Sequence, residues 1–343
     1  MFFNDTEILI KKLNGDLNIF KLNDKILYEY IKSDTKEVYK KEIINGEYSF
    51  VDVHMDIDKD NNVYGILNDK KGKLLNINIE DDVYMDILIK YDCKNFLIKF
   101  PYIKKFSKES HVFYYLINKQ NPTISNLIHI NRGENFFEKN IVDYIPYNTM
   151  SIISNFEVIW NKDIPILFYF KNVDEVEELF VSIFNKNFNE WSKPFQITNS
   201  KKRKIYLSVI KDVRGYYNIV FAEENEGKYH CQYIKGFLDY NKFEILELTL
   251  IKTELMCLFP HLINNKNELY IQWGEYNNLY TCKSFDLGAT WSKPKMNNQQ
   301  VDKFFKRYIY KSNNIEERDY IVNSIFTDKE DIDMLDYKIK DSL

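Results

Sequence analysis

Short runs of alternating apolar and polar residues, separated by polar turns, extend along nearly all of the 343 residues. A period of two is the mark of strands with one buried face. An aromatic-rich version of this pattern recurs seven times, at residues 16–20, 62–66, 111–115, 165–169, 215–219, 268–272 and 318–322. The repeat is about 50 residues, within the range of propeller blades. Each segment has another apolar strand ahead of it, as at 206–210 or 256–259, and a third after a polar turn, as at 26–30, 179–183 or 279–282. In most units a fourth follows, as at 243–246. The pattern predicts an all-β chain: a seven-bladed β-propeller of four-stranded antiparallel blades, with six blades as the alternative, and residues 1–343 as a single domain.

The last unit supplies strands near 308–310, 320–322 and 334–339, then ends without room for a fourth. Residues 1–4 are expected to provide it, closing the last blade and removing an exposed strand edge. The alternative is a frayed terminus.

One turn carries more information than the rest. Ser284-Phe285-Asp286-Leu287-Gly288-Ala289-Thr290-Trp291 sets a turn acid, a glycine, a hydroxyl and a packing tryptophan at fixed offsets. The Asp286 carboxylate is expected to accept turn amides, Gly288 to take a positive φ, and Trp291 to cover the turn. This stretch resembles the Asp-box, or BNR repeat, of sialidase-like β-propellers. A degenerate copy at 182–194 ends in the same Trp-Ser-Lys-Pro, but its turn is longer and lacks the glycine. The resemblance implies a propeller fold, structural roles for Ser284, Asp286, Gly288, Thr290 and Trp291, and a ligand face on the opposite side from the box. It also implies a test for sialidase activity, because members of that family hold the substrate carboxylate with three arginines from different blades. This chain has five arginines, and only Arg203 and Arg307 start inner strands in the predicted arrangement. The triad cannot be assembled, and lysine does not replace a planar bidentate fork.

Composition supports strands over helices. Aromatics make up 16% of the chain, whereas alanine occurs only at Ala222 and Ala289. Part of that bias has the look of an AT-rich bacterial genome. A net charge of −4 gives no general attraction to nucleic acid. The N-terminus lacks a leader pattern and no run spans a bilayer, so a cytoplasmic monomer is the default, with non-classical export or surface association as the alternative. Cys93, Cys231, Cys257 and Cys282 lack the spacing of a zinc or redox motif and read as reduced thiols.

Candidate chemistry is sparse. Asp52, His54, Asp56 and Asp58 alternate along one strand, an arrangement open to metal binding or acid–base work but better read as wet inner-strand residues running into a turn. His261 reads as a buried histidine; Trp160 and Trp273 are the tryptophans open to sugar stacking. No cofactor or metal is expected. Lys201, Lys202, Arg203 and Lys204, with Lys303, Lys306 and Arg307, fall in connections entering two blades near the axis. Acidic runs at 174–178, 223–226 and 328–331 fall farther out. A basic centre inside an acidic rim favours an anionic ligand. Those seven basic residues are the expected binding site of a non-catalytic scaffold for a protein or an acidic glycan. The alternatives are a glycoside hydrolase or lyase with unidentified carboxylates, and a structural part of a surface assembly.

Overall fold

The structure, a computed structural model, describes residues 6–146, 154–239, 242–254, 256–276, 278–296 and 305–328. Its contacts divide into two compact units, Met1–Ser151 with Tyr308–Arg318, and Ile152–Arg307 with Asp319–Leu343. Each is built from consecutive antiparallel meanders.

The first unit holds three sheets. The first contains β1 (Glu7–Lys11), β2 (Leu17–Lys21), β3 (Lys25–Ile31) and β4 (Val38–Asn45). The next contains β5 (Val53–Ile57), β6 (Val63–Asn68), β7 (Lys73–Ile79) and β8 (Val83–Lys90). The third contains β9 (Phe96–Lys105), β10 (Glu109–Asn118), β11 (Ser125–Gly133) and β12 (Phe137–Tyr144). In the second unit the fourth sheet contains β13 (Glu157–Asn161), β14 (Ile164–Val173) and β15 (Val176–Asn185), with the two-residue strands β16 (Glu190–Trp191) and β17 (Phe195–Gln196) both on β15. The fifth contains β18 (Lys204–Lys211), β19 (Tyr217–Asn225), β20 (Lys228–Asp239) and β21 (Lys242–Ile251). The sixth contains β22 (Leu258–Asn265), β23 (Glu268–Glu275), β24 (Asn278–Ser284) and β25 (Lys295–Met296). The C-terminal part adds β26 (Phe305–Ser312), β27 (Tyr320–Val322) and β28 (Ser324–Asp328).

This is a β-propeller arrangement with six blades among the described residues, not seven. Six of the seven aromatic repeats are second strands, in β2, β6, β10, β14, β19 and β23. The seventh, at 318–322, enters no blade of its own. Its β27 pairs antiparallel with the free side of β22, from Ile263↔Val322 to Asn265↔Tyr320. Similarly, β26 lies parallel on the free side of β1, from Glu7↔Tyr308 to Lys11↔Ser312. An uncovered first strand would leave a row of unpaired amides and carbonyls, and these segments satisfy it. The predicted strand at 334–339 and the predicted clasp at residues 1–4 lie outside the described residues.

Apolar alternation fixes how neighbouring sheets stack. Ile8, Ile10 and Phe20 of the first sheet bury against Val53, Met55, Val63 and Ile77 of the second. Phe168, Phe170 and Val181 of the fourth sheet bury against Val209, Ile219 and Phe221 of the fifth. Val220, Cys231 and Tyr233 then meet Leu262, Ile271, Trp273 and Cys282 of the sixth. All four cysteines are thiols.

Turns are wired by short polar side chains. Asp58 accepts from the amides of Asp60 and Asn62, both at 2.9 Å, between β5 and β6. Asp212 does the same for Arg214 and Tyr216 between β18 and β19. In the turn after β24, Asp286 accepts from the Thr290 amide at 2.8 Å, the Thr290 hydroxyl at 2.6 Å and the Ser284 hydroxyl at 2.8 Å. The Gly288 amide donates to Ser284 Oγ at 2.8 Å. Trp291 packs edge-on to Tyr233 with ring centroids 4.8 Å apart, so this turn of the sixth sheet rests on the fifth.

Gly288 has φ +91°, and a Cβ there would lie 1.8 Å from Tyr233 Oη. Gly288→Ala is therefore expected to lower the unfolding free energy by about 1–3 kcal/mol in urea denaturation. Gly227, with φ +78° and nothing within 4 Å of a built Cβ, should cost only about 1 kcal/mol when changed to Ala. The bonds from Thr290 and Ser284 hold the Asp286 carboxyl down to about 2, from an ordinary 3.8. A depressed folded pKa contributes stability above the unfolded value and loses it as pH falls through the folded one. The denaturation midpoint of the wild type should thus carry an acid-limb slope between pH 3.8 and about 2 that Asp286→Asn lacks.

Candidate functional site

Three first strands break their alternation in the same way. The ladder slips opposite Phe100 in β9, between Ile205 and Ser208 in β18, and between Leu258 and His261 in β22. At each slip an aromatic residue takes a left-handed backbone: Phe100 at φ 51°, Tyr206 at φ 61° and Phe259 at φ 49°. Bulky residues rarely adopt this region, and it persists only where surroundings hold it. The displaced amides are captured: Phe100 N–H by the Val51 carbonyl at 2.8 Å and Tyr206 N–H by Ser154 Oγ at 3.0 Å. Such bulges re-aim side chains out of the pleat. The dipeptides Phe100-Pro101 and Phe259-Pro260 were a legible signal, since proline inside a strand marks a bulge.

In the second unit the re-aimed rings meet. Tyr206 and Phe259 lie with centroids 4.2 Å apart, tilted by 37°. The Arg307 guanidinium carbon sits 4.5 Å over the Phe259 ring. The result is a stack of guanidinium, phenyl and phenol. Burial draws the Arg307 pKa down to about 10, opposed by the charge of Glu157. Arg307 therefore stays a cation at any neutral pH. Glu157 is in turn fixed by Asn155, whose Nδ2 donates to Glu157 Oε1 and to the Leu207 carbonyl, both at 2.8 Å. Tyr229 is close enough to feel Arg203. His261 is buried beside Phe326, and burial, then the Arg307 charge, hold its imidazole down to about 3. It is a neutral ring, not a cation.

The basic residues expected to bind ligand divide into separate fates. Arg307 reaches the aromatic stack, whereas Arg203 is an exposed side chain whose charge acts on Tyr229. Lys204 does not: it is wholly buried, with Nζ 2.9 Å from Glu178 Oε2, 3.5 Å from Glu223 Oε2 and 2.8 Å from the Glu177 carbonyl. It is a structural cation with no surface for a ligand. Lys202 donates to Asn225 Oδ1 at 2.8 Å, and Lys201 is exposed, its amide donating to Glu178 Oε1. Lys306 is half-buried; Lys303 lies outside the described residues. In this blade the acidic residues are not a distant rim. Glu178 and Glu223 also accept from Thr198 and Ser200, pinning the loop that carries the lysines.

Other sequence candidates shift as well. Trp273 is fully buried, donating to Glu275 Oε1 at 2.8 Å, so it offers no face to a sugar, whereas Trp160 is half-buried. Asp52 is buried between Lys70 and Lys99, and Asp56 is paired with Lys104. Among the described residues no three His, Cys, Asp or Glu side chains are grouped to hold a metal ion. Among those same residues no helix is long and apolar enough to cross a membrane.

No family model matches this chain, and no curated protein matches it. Solved structures do. The chain is similar to an ulvan lyase of a polysaccharide lyase family, at 9% identity and a TM-score of 0.61, with 96% of this chain and 93% of that one covered. The Kuenenia stuttgartiensis hydrazine synthase matches at 11% identity and a TM-score of 0.52, covering 82% of this chain and 77% of its own. The Aleuria aurantia lectin in complex with Fucalpha1-6GlcNAc matches at 11% identity and a TM-score of 0.50, covering 86% and 96%. At these identities the likeness is one of fold.

The burial of Lys204 between two carboxylates makes its loss costly. Lys204→Met should destabilise by about 3–5 kcal/mol in chemical denaturation, because Glu178 and Glu223 would be left buried and unpaired. Lys202→Ala should change stability by less than about 1 kcal/mol.

Proposed function

We propose that this chain is a glycan-recognising β-propeller whose second unit takes an acidic saccharide on the stack formed by Tyr206, Phe259 and Arg307. The observation that carries this reading is the pair of left-handed aromatic bulges beside a desolvated arginine. Aromatic faces suit the apolar face of a sugar ring, and a guanidinium suits a carboxylate or sulfate substituent. Strain at Tyr206 and Phe259 is retained where unstrained strands were available, which supports a role in ligand contact rather than in packing. The fold likeness to a lectin and to a polysaccharide lyase is consistent with a carbohydrate ligand. We also read the turn at 284–291 as an Asp-box of the sialidase-like type, a reading its hydrogen bonds support; its role here is structural.

A lyase-type enzyme is the second reading, favoured by the 96% coverage of this chain by the ulvan lyase likeness. It differs in one measurable respect: a lyase would generate the ultraviolet absorbance of an unsaturated uronate from a uronate-containing polymer, whereas a recognition scaffold would bind the polymer unchanged.

Calorimetric titration with uronate-containing and sulfated oligosaccharides, beside neutral ones of equal length, tests the proposal. Acidic oligosaccharides should bind, and Arg307→Ala and Tyr206→Ala should each weaken binding at least about tenfold. Arg307→Lys should fall between, because it keeps charge but loses the planar fork. Equal affinity for neutral and acidic chains, or wild-type affinity in Arg307→Ala, would overturn the reading.

A further inference from the structure

The outer edge of the fifth sheet is built unlike the others. β21 ends the order β18-β19-β20-β21, so alternate amides and carbonyls of this strand point away from β20, where no further strand pairs with them among the described residues. It runs for 10 residues, against 8 in each of β4, β8 and β12. Open edges are commonly guarded by lysine, as by Lys40 and Lys41 in β4 and Lys139 in β12. Between Phe243 and Ile251, β21 has no lysine, and Ile245, Leu246, Leu248 and Leu250 are exposed there by 39%, 44%, 64% and 39%.

The strand register says why these side chains are uncovered. Leu248 pairs with Ile234, Ile245 with Gly236 and Leu250 with Gln232, on the face where Ile234, Leu238 and Phe243 pack toward the fourth sheet. The fourth sheet has only the two-residue β16 and β17 in place of a full outer strand, so its cover stops short of Ile245, Leu248 and Leu250. Glu247 lies on the other face, in register with Lys235. Covering this row and its edge together takes a partner that offers a strand edge and apolar side chains at once.

We propose that β21 is the contact surface for a second copy of this chain, pairing antiparallel with the same strand around a two-fold axis at Leu248. The charges that flank the apolar row select this occupant. Lys242 and Glu244 stand at one end and Lys252 and Glu254 at the other, so a strand reversed on itself sets unlike charges together. With Leu248 on Leu248, Lys252 of one copy comes opposite residues 243–244 of the second, the extra residue Leu246 at the ladder slip being taken up between them, and Glu254 comes near the second copy's Lys242. Within one chain Lys242 Nζ and Glu244 Oε2 are 2.9 Å apart, an exposed pair of little net value that can be exchanged across the axis. A parallel pairing would set Glu244 against Glu244. An isologous contact of this kind closes at two copies. The assembly departs from the monomer expected from sequence and does not depend on glycan binding at Arg307.

Sedimentation velocity of the full chain across a concentration series tests the contact. A monomer–dimer equilibrium is expected for the wild type. Leu248→Lys sets two ammonium groups against each other at the axis and should weaken the dimer about tenfold or more, while the circular dichroism spectrum stays that of the wild type. Glu244→Lys should weaken it as well, and adding Lys252→Glu should restore it by exchanging the two charges, a recovery that a folding defect would not give. Leu248→Cys, made in a Cys93→Ser background, should form an intermolecular disulfide on exposure to air, because the axis brings the same position of both copies side by side. The proposal is overturned if the chain stays monomeric up to about 0.1 mM, if its dimer is unaffected by Leu248→Lys, or if Leu248→Cys dimerises without cross-linking.

Discussion

A β-strand carries hydrogen-bonding groups on both edges, and in a chain made almost entirely of strands the fate of the edges governs the rest. The first strands β1 and β22 would each present an open side. The chain resolves this by laying β26 along β1 and β27 along β22. That use of the C-terminal part explains why a seventh aromatic repeat exists in the sequence without a seventh blade. Residues 320–322 alternate as strands do because they are strand, yet they serve as an edge cover for an existing sheet.

The same demand shapes the aromatic stack. When the ladder slips at Tyr206 and at Phe259, two residues leave the pleat and their backbone groups need other partners. Ser154 Oγ answers the Tyr206 amide. In the first unit the Val51 carbonyl answers Phe100. Once the amide is satisfied elsewhere, the ring no longer has to follow the alternation, and it turns to meet its neighbour. The positive φ costs energy locally, and the packing of the surrounding strands over-determines it. Arg307 then stacks on the flat face of Phe259, where burial desolvates it and the charge of Glu157 favours its cationic form.

Elsewhere charge is consumed by structure. Lys204 sits between Glu178 and Glu223, Lys70 and Lys99 flank Asp52, and Lys104 holds Asp56. In each the carboxylate is buried, and the partners lie apart along the chain. Counting basic residues near a connection therefore overstates the positive charge a ligand meets.

Strand positions were legible in the sequence because the period of two and the polar turns are local properties. Six second strands lie where the aromatic repeat put them, and Asp58, Asp286 and Gly288 act in their turns as short polar and glycine residues do. Among the candidate residues, Arg203 and Arg307 were expected near strand starts, and they lie just before β18 and within the first three residues of β26. Tyr206 was not, because nothing local tells a left-handed bulge from an ordinary strand residue when no proline follows. Nor could the sequence tell that Lys204 is buried and Trp273 is sealed, or that the last repeat covers an edge. Those outcomes depend on which groups meet across sheets, and hydrogen-bond and charge satisfaction between residues distant in the chain is decided only when the tertiary structure brings them together.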